Sequence, residues 1–131
     1  MKRKMAISFF LACFVTASVA YSGESVTFKG TSKTDDAFML KGTIDKPSGQ
    51  GPFPAVVMLS AGGGFNRGGY DRWVDKFVNW GYVALRVETL ASRGLSSISE
   101  GDTGGVSPAV SKEETAQDAY AAKAYLSLIH I

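Results

Sequence analysis

Phe53-Pro-Ala-Val-Val-Met-Leu-Ser60 is a continuous apolar run, and Ala61-Gly-Gly-Gly-Phe-Asn-Arg-Gly-Gly69 continues from it without a break. The run has the length and composition of a parallel strand buried on both faces. Beyond the glycines, Tyr70, Trp73, Val74, Phe77, Val78 and Trp80 recur at helical spacing, while Asp71, Arg72, Asp75, Lys76 and Asn79 take the other face. Gly81 stops the helix, and Tyr82-Val-Ala-Leu-Arg-Val87 reads as a second parallel strand reached by a right-handed crossover. This order sets the glycines at the carboxyl end of a strand, where a backbone without Cβ atoms can approach a ligand closely.

Upstream, Ser25-Val-Thr-Phe-Lys29 and Ala37-Phe-Met-Leu-Lys-Gly-Thr-Ile44 have strand length and are separated by polar residues, which predicts an antiparallel pair. Lys46-Pro-Ser-Gly-Gln-Gly-Pro52 is a turn-rich connector into the apolar run. Downstream, residues 90–108 are rich in Ser and Gly and longer than an ordinary connection, a length typical of functional loops. Ser111 with Glu114 three residues on predicts a capped helix, with Ala116, Ala119, Tyr120 and Lys123 along one side and the alanines packed closely on a sheet. Two strands and then alternating strand and helix give an α/β sandwich. No internal repeat or low-complexity tract is present in the sequence.

The two ends carry signals of a different kind. Lys2, Arg3 and Lys4 precede an apolar stretch from Met5 to Thr16, and Ser18-Val-Ala20 precedes the return of polarity, the pattern of a secretory signal peptide over residues 1–20. Its apolar core is shorter than the roughly 20 residues that a membrane-spanning helix needs. The expectation is an exported chain, periplasmic or secreted, with no stable membrane insertion once the signal is removed. Cys13, the one cysteine, lies inside this segment, where Leu11-Ala12-Cys13 also partially matches a lipoprotein acceptor. Three of the 14 basic residues belong to the same segment, which leaves 11 against 12 acidic residues. Without a basic cluster there is no footprint for nucleic acid. At the other end, Ser127-Leu-Ile-His-Ile131 resembles the translation of a transposase adapter used in sequencing libraries, so 127–131 is expected to be a foreign tail; the competing reading is the start of another buried strand. His130, the only histidine, is assigned no catalytic role.

Glycines after a strand can cradle a phosphate, but the spacing here is wrong. A dinucleotide fingerprint from Gly62 needs glycine where Arg67 stands, and one from Gly64 needs glycine where Asn66 stands. A phosphate-binding loop from Gly63 or Gly64 reaches Gly68 or Gly69 without the lysine that must come next. No histidine and cysteine set exists for a metal, and Glu113-Glu114 suits the first turn of a helix, which favours acids. Acyl transfer, by contrast, asks for backbone N–H groups arranged around a developing oxyanion, which a glycine-rich turn after a buried strand supplies. A nucleophile is harder to place. Gly105-Val-Ser107-Pro108-Ala109 approximates the G-x-S-x-G elbow, yet no strand precedes it, and Pro108 lacks the N–H that the residue after the nucleophile must donate.

Gly51-Pro-Phe-Pro-Ala-Val-Val-Met-Leu leading into Gly63-Gly64, Trp73, Trp80-Gly-Tyr-Val-Ala-Leu85, Arg93-Gly94, and Asp118-Ala-Tyr120 before Tyr125-Leu126 together resemble the dienelactone hydrolase family of α/β hydrolases. The resemblance covers Gly42 to about Leu126 and implies the N-terminal half of an α/β-hydrolase fold over residues 21–126, a three-layer sandwich on a mostly parallel sheet. It implies cleavage of an ester, lactone or related acyl bond without a cofactor. Gly62 would donate an oxyanion-hole N–H, with Gly63 beside it, although a tight turn alone also accounts for the glycines. Arg93 would bind a substrate carboxylate or stand as a solvated loop charge, and Glu88 would hydrogen-bond the loop after it. Ser60-Ala61 departs from the family's commoner His-Gly. Nucleophile, acid and histidine are expected beyond Leu126, so the 131 residues alone are expected to be inactive. The alternative from another class is a non-catalytic exported domain that binds a ligand or partner through the glycine turn and Arg93. Serine or cysteine as nucleophile, the substrate and the oligomeric state stay open.

Overall fold

The computed structural model describes residues 23–31, 37–65, 69–96 and 110–129. The signal-like segment with Cys13, residues Asn66 and Arg67, the stretch with Ser107, and His130 lie outside the described residues. Four strands, β1 (Glu24–Lys29), β2 (Met39–Asp45), β3 (Ala55–Leu59) and β4 (Val83–Val87), form one sheet in the order β1-β2-β4-β3. Two helices, α1 (Tyr70–Asn79) and α2 (Lys112–Leu128), and a short 3-10 turn at Ala91–Arg93 complete the described elements.

The fold is α/β, as expected, but the sheet is not mostly parallel. β1 pairs with β2 and β2 with β4 antiparallel, and only β3 with β4 is parallel. The helical crossover through α1 forces the one parallel pairing; the β1–β2 pair, added on the far side of β4, brings two antiparallel ones.

Residues of β4 alternate between faces, and each face receives a helix. Val83, Leu85 and Val87 join Phe28, Leu40, Ile44 and Ala122 of α2 in the larger core cluster. Ala84 meets Val74 and Val78 of α1 from the other side. Helix, sheet and helix therefore make three layers. β4 is the strand buried on both faces. The apolar run that became β3 is instead an edge strand, with Ala55 exposed and the next four residues half-buried.

Both helices depart from their expected faces. On α1, Val74 and Val78 are buried, whereas Trp73 is 45% and Trp80 62% exposed. Their rings gather around Phe77, at 6.1 and 5.9 Å, on the outer surface. The helix ends as expected: Gly81 takes the left-handed conformation at φ 84, its N–H donates to the Val78 carbonyl, and Tyr82 N–H donates to the Phe77 carbonyl. That paired closure is the glycine-terminated helix stop, with Tyr82 and Phe77 in contact across it. On α2, Ser111 and Glu114 form the expected capping box. Its packed side, however, carries Asp118, Ala122 and Tyr125, the last stacked on Phe28 at 4.9 Å, while Ala116, Tyr120 and Lys123 face water. An acid as the first member of that i, i+4, i+7 series masks it in the sequence.

Beside the edge of β3 that no described strand pairs, a groove of about 260 Å³ runs between Phe53, Ala55 and Val57 and the Lys123, Leu126 and Ser127 side of α2. An apolar edge without proline or charge inside the strand invites pairing with another chain. Ala55→Lys is expected to suppress concentration-dependent self-association of the chain in sedimentation velocity. Equal association of variant and wild type would show that the edge is not the contact.

Candidate functional site

β3 and β4 run side by side in register, from Ala55 opposite Val83 to Leu59 opposite Val87, so both deliver the chain to the same end of the sheet. Each strand leads into a tight turn that is held from outside. After β3, Gly64 N–H donates to the Ala61 carbonyl at 3.0 Å, and Gly64 sits at φ 68, where a side chain would be strained. Ala61 N–H donates to the Tyr70 hydroxyl at 2.9 Å, and Phe65 meets the Tyr70 ring edge-on at 4.9 Å. The first residue of α1 thus anchors the glycine turn.

After β4, Glu88 N–H donates to the Lys41 carbonyl and Ser92 N–H to the Glu88 carbonyl, while Lys41 N–H donates to Ser92 Oγ at 2.9 Å. These bonds dock the turn at Leu90–Gly94 onto β2. Between the two turns lies a cavity of about 270 Å³, walled by Gly64 and Phe65 on one side and by Glu88, Leu90, Ala91, Gly94, Leu95 and Ser96 on the other. Its place, at the carboxyl ends of adjacent parallel strands, is where open α/β sheets bind ligands.

Glu88 is the titratable group in the described wall. Burial raises its carboxyl above the ordinary glutamate pKa, and the charge of Arg86 opposes that rise. Arg86 is itself engaged: one terminal nitrogen donates to Asp45 and the other to Asp71, each at 3.1 Å. The sequence expectation made Glu88 a partner for the loop after it. Its backbone fills that role, through the bond from Ser92, and the residue also lines the cavity.

Arg93 is held by the protein. Its guanidinium donates to both carboxylate oxygens of Asp118, at 2.8 and 3.0 Å, and to the Thr89 carbonyl at 2.9 Å, with its charge 4.7 Å from the Phe38 ring centroid. Asp118 is fully buried and the Arg93 side chain 11% exposed, so the solvated loop charge is excluded. The carboxylate that Arg93 binds is the protein's own. An acid on the packed side of α2, in step with Ala122 and Tyr125, is the sequence signal that could have revealed the pair, since a buried acid requires a cation.

Gly62 and Gly63 lie half-buried in the first turn, immediately before the wall residues Gly64 and Phe65. The expected oxyanion segment and the cavity therefore share one turn. Among the described residues no group of three or more His, Cys, Asp or Glu side chains could hold a metal ion, and no helix is long and apolar enough to cross a membrane. Comparison of the chain with protein-family models, curated proteins and solved structures finds no match. The family resemblance accordingly rests on the sequence features alone.

These charges lead to two expected outcomes. Asp118→Ala strands the Arg93 cation and is expected to cost about 3–5 kcal/mol in urea unfolding, whereas Arg93→Met with Asp118→Leu is expected to recover most of that loss. A double variant as unstable as the single one would contradict this account. For Glu88, a raised pKa means that the folded chain holds its proton more tightly than the unfolded one, so ionisation disfavours folding as pH rises above the ordinary glutamate value. Glu88→Gln is expected to raise Tm at neutral pH, with the gain disappearing at about pH 4; a gain independent of pH would rule out the ionisation cause.

Proposed function

We propose that this chain carries the oxyanion-stabilising part of an exported acyl hydrolase of the dienelactone hydrolase type, acting on an ester, lactone or related acyl bond. The observation that carries the proposal is the glycine turn of residues 61–64 next to a cavity at the common carboxyl end of β3 and β4. Chemistry at an acyl carbon places negative charge on one oxygen, and backbone N–H groups fixed in a turn stabilise that charge without reorganising. Gly62 N–H is the proposed donor, with Gly63 as its neighbour. Tyr70 supports the arrangement by fixing Ala61, the residue just before them.

The remaining groups of the reaction are proposed to come from polypeptide after Leu126. A strand leading into a serine or cysteine elbow would supply the nucleophile and a second oxyanion donor, with an acid and a histidine later in the chain. No cofactor is required. The basic and then apolar N-terminus supports export, with residues 1–20 as the signal.

The test starts from the source DNA beyond the codon for Tyr125. A frame that continues into G-x-S-x-G or G-x-C-x-G and then Asp and His is expected to yield a protein that hydrolyses p-nitrophenyl acetate, with residues 1–131 alone inactive. In the active protein, Gly62→Pro removes the N–H and is expected to lower kcat by about 10²–10³-fold, the usual cost of one oxyanion donor. A native frame that supplies no elbow, or a proline variant with unchanged kcat, would replace this reading with a non-catalytic binding domain.

A further inference from the structure

Glu88 and Ser96 line the cavity among otherwise apolar or small residues. The Glu88 carboxyl accepts no hydrogen bond from the described residues. A ligand group that donates a hydrogen bond would supply what this carboxyl lacks. A ligand carboxylate would bring a second negative charge, and the two arginines near the cavity among the described residues are already paired. Arg93 sits in the same 3-10 turn as the wall residue Ala91, directly before Gly94, but its fork is closed on Asp118 and the Thr89 carbonyl. Arg86 has its terminal nitrogens on Asp45 and Asp71. The two turns also approach closely, since a Cβ on Gly64 would stand 3.8 Å from the Ser96 carbonyl oxygen.

We infer that Glu88 sets the substrate class of this cavity: uncharged acyl compounds bearing a hydroxyl, held by a hydrogen bond to the Glu88 carboxylate, with carboxylate-bearing acyl compounds rejected. The inference rests on the acyl-hydrolase reading and sharpens it. It reverses the selectivity that a free Arg93 would have given. A hydroxyl donating to an ionised carboxyl makes a charge-assisted bond, stronger than a neutral one. Two carboxylates facing each other without an intervening cation repel.

The selectivity can be measured without turnover, on the 131-residue chain itself, with two small esters. Glycerol monoacetate carries hydroxyls, and monomethyl succinate carries a carboxylate. Both are titrated at about pH 8, well above the ordinary glutamate pKa, while the amide resonances of Gly64, Gly94 and Ser96 are monitored by NMR. The expected result is that glycerol monoacetate shifts these resonances and that monomethyl succinate binds at least about tenfold more weakly. In Glu88→Gln, which keeps the side-chain shape, the two affinities are expected to converge to within about twofold. Equal binding of the two esters by the wild type, or an unchanged preference in Glu88→Gln, would overturn the role of Glu88 while leaving ester binding in place. Absence of any shift with either ester would remove the acyl reading of the cavity together with the inference. The wild-type comparison stands without the variant, so a misfolded Glu88→Gln would not protect the idea.

Discussion

Val83, Ala84, Leu85 and Val87 lose all contact with water between two helical layers, while the β4 backbone is paired on both edges, by β2 and by β3. A strand in that position accepts side chains that need no solvent, and each one fixes the packing of whatever covers it. Leu85 calls for Ala122 and its neighbours on α2, and Ala84 leaves room for Val74 and Val78 on α1. Arg86 is the exception, and its charge is answered at once by Asp45 at the end of β2 and Asp71 at the start of α1. The Asp45 contact is nearly dry and ties two strands together. The Asp71 carboxylate is 91% exposed, so that arm is screened and contributes little.

From this strand outward, the functional end of the sheet is built by restraint from neighbours, because turns alone do not hold a shape. The glycine turn is fixed through Tyr70 of α1, and the turn after β4 is fixed twice, by Ser92 against Lys41 and by Arg93 against Asp118. Elements on both faces and on the far side of β4 thus converge on one cavity. A site on loops gains its precision this way, from rotamers and backbone groups locked by the scaffold beneath. The buried pair is also what joins α2 to this end of the sheet, since Asp118 lies in the middle of that helix and Arg93 in the turn whose Ala91 and Gly94 line the cavity.

Local chemistry was legible in the sequence, and partner choice was not. The Ser111–Glu114 box and the Gly81 stop appear where the residues demanded them, because caps satisfy backbone groups within a single turn of chain. The β1–β2 pair and the βαβ unit also emerge from periodicity alone. Periodicity cannot say which strand sits in the centre. The run Ala55–Leu59 is as apolar as a central strand, yet β4 takes that place and β3 the edge. Trp73 and Trp80 obeyed helical spacing but not burial, since small Val side chains, not indoles, fit against Ala84. At the site, the glycine turn was visible from composition. The role of Arg93 depended on Asp118, 25 residues further on, and the exposure of Glu88 to the cavity depended on where two turns come to rest.

Glu88 and Asp118 show how one functional group acquires opposite uses. Both are carboxyls withdrawn from water, Asp118 fully and Glu88 in part, and each has an arginine close by in space. Asp118 receives the full fork of Arg93, two parallel bonds at 2.8 and 3.0 Å, so its charge is satisfied and becomes part of the structure. Glu88 stands two residues after Arg86, just past the end of β4. Residues at that spacing share a face, but the Arg86 terminal nitrogens are already given to Asp45 and Asp71, and only the residual field reaches Glu88. Burial then outweighs that field and leaves the carboxyl with an unmet demand for a donor. A protein can bury such a demand under its own side chains or leave it at a cavity, and here Glu88 lines a cavity whose wall includes the small residues Gly64, Ala91 and Gly94.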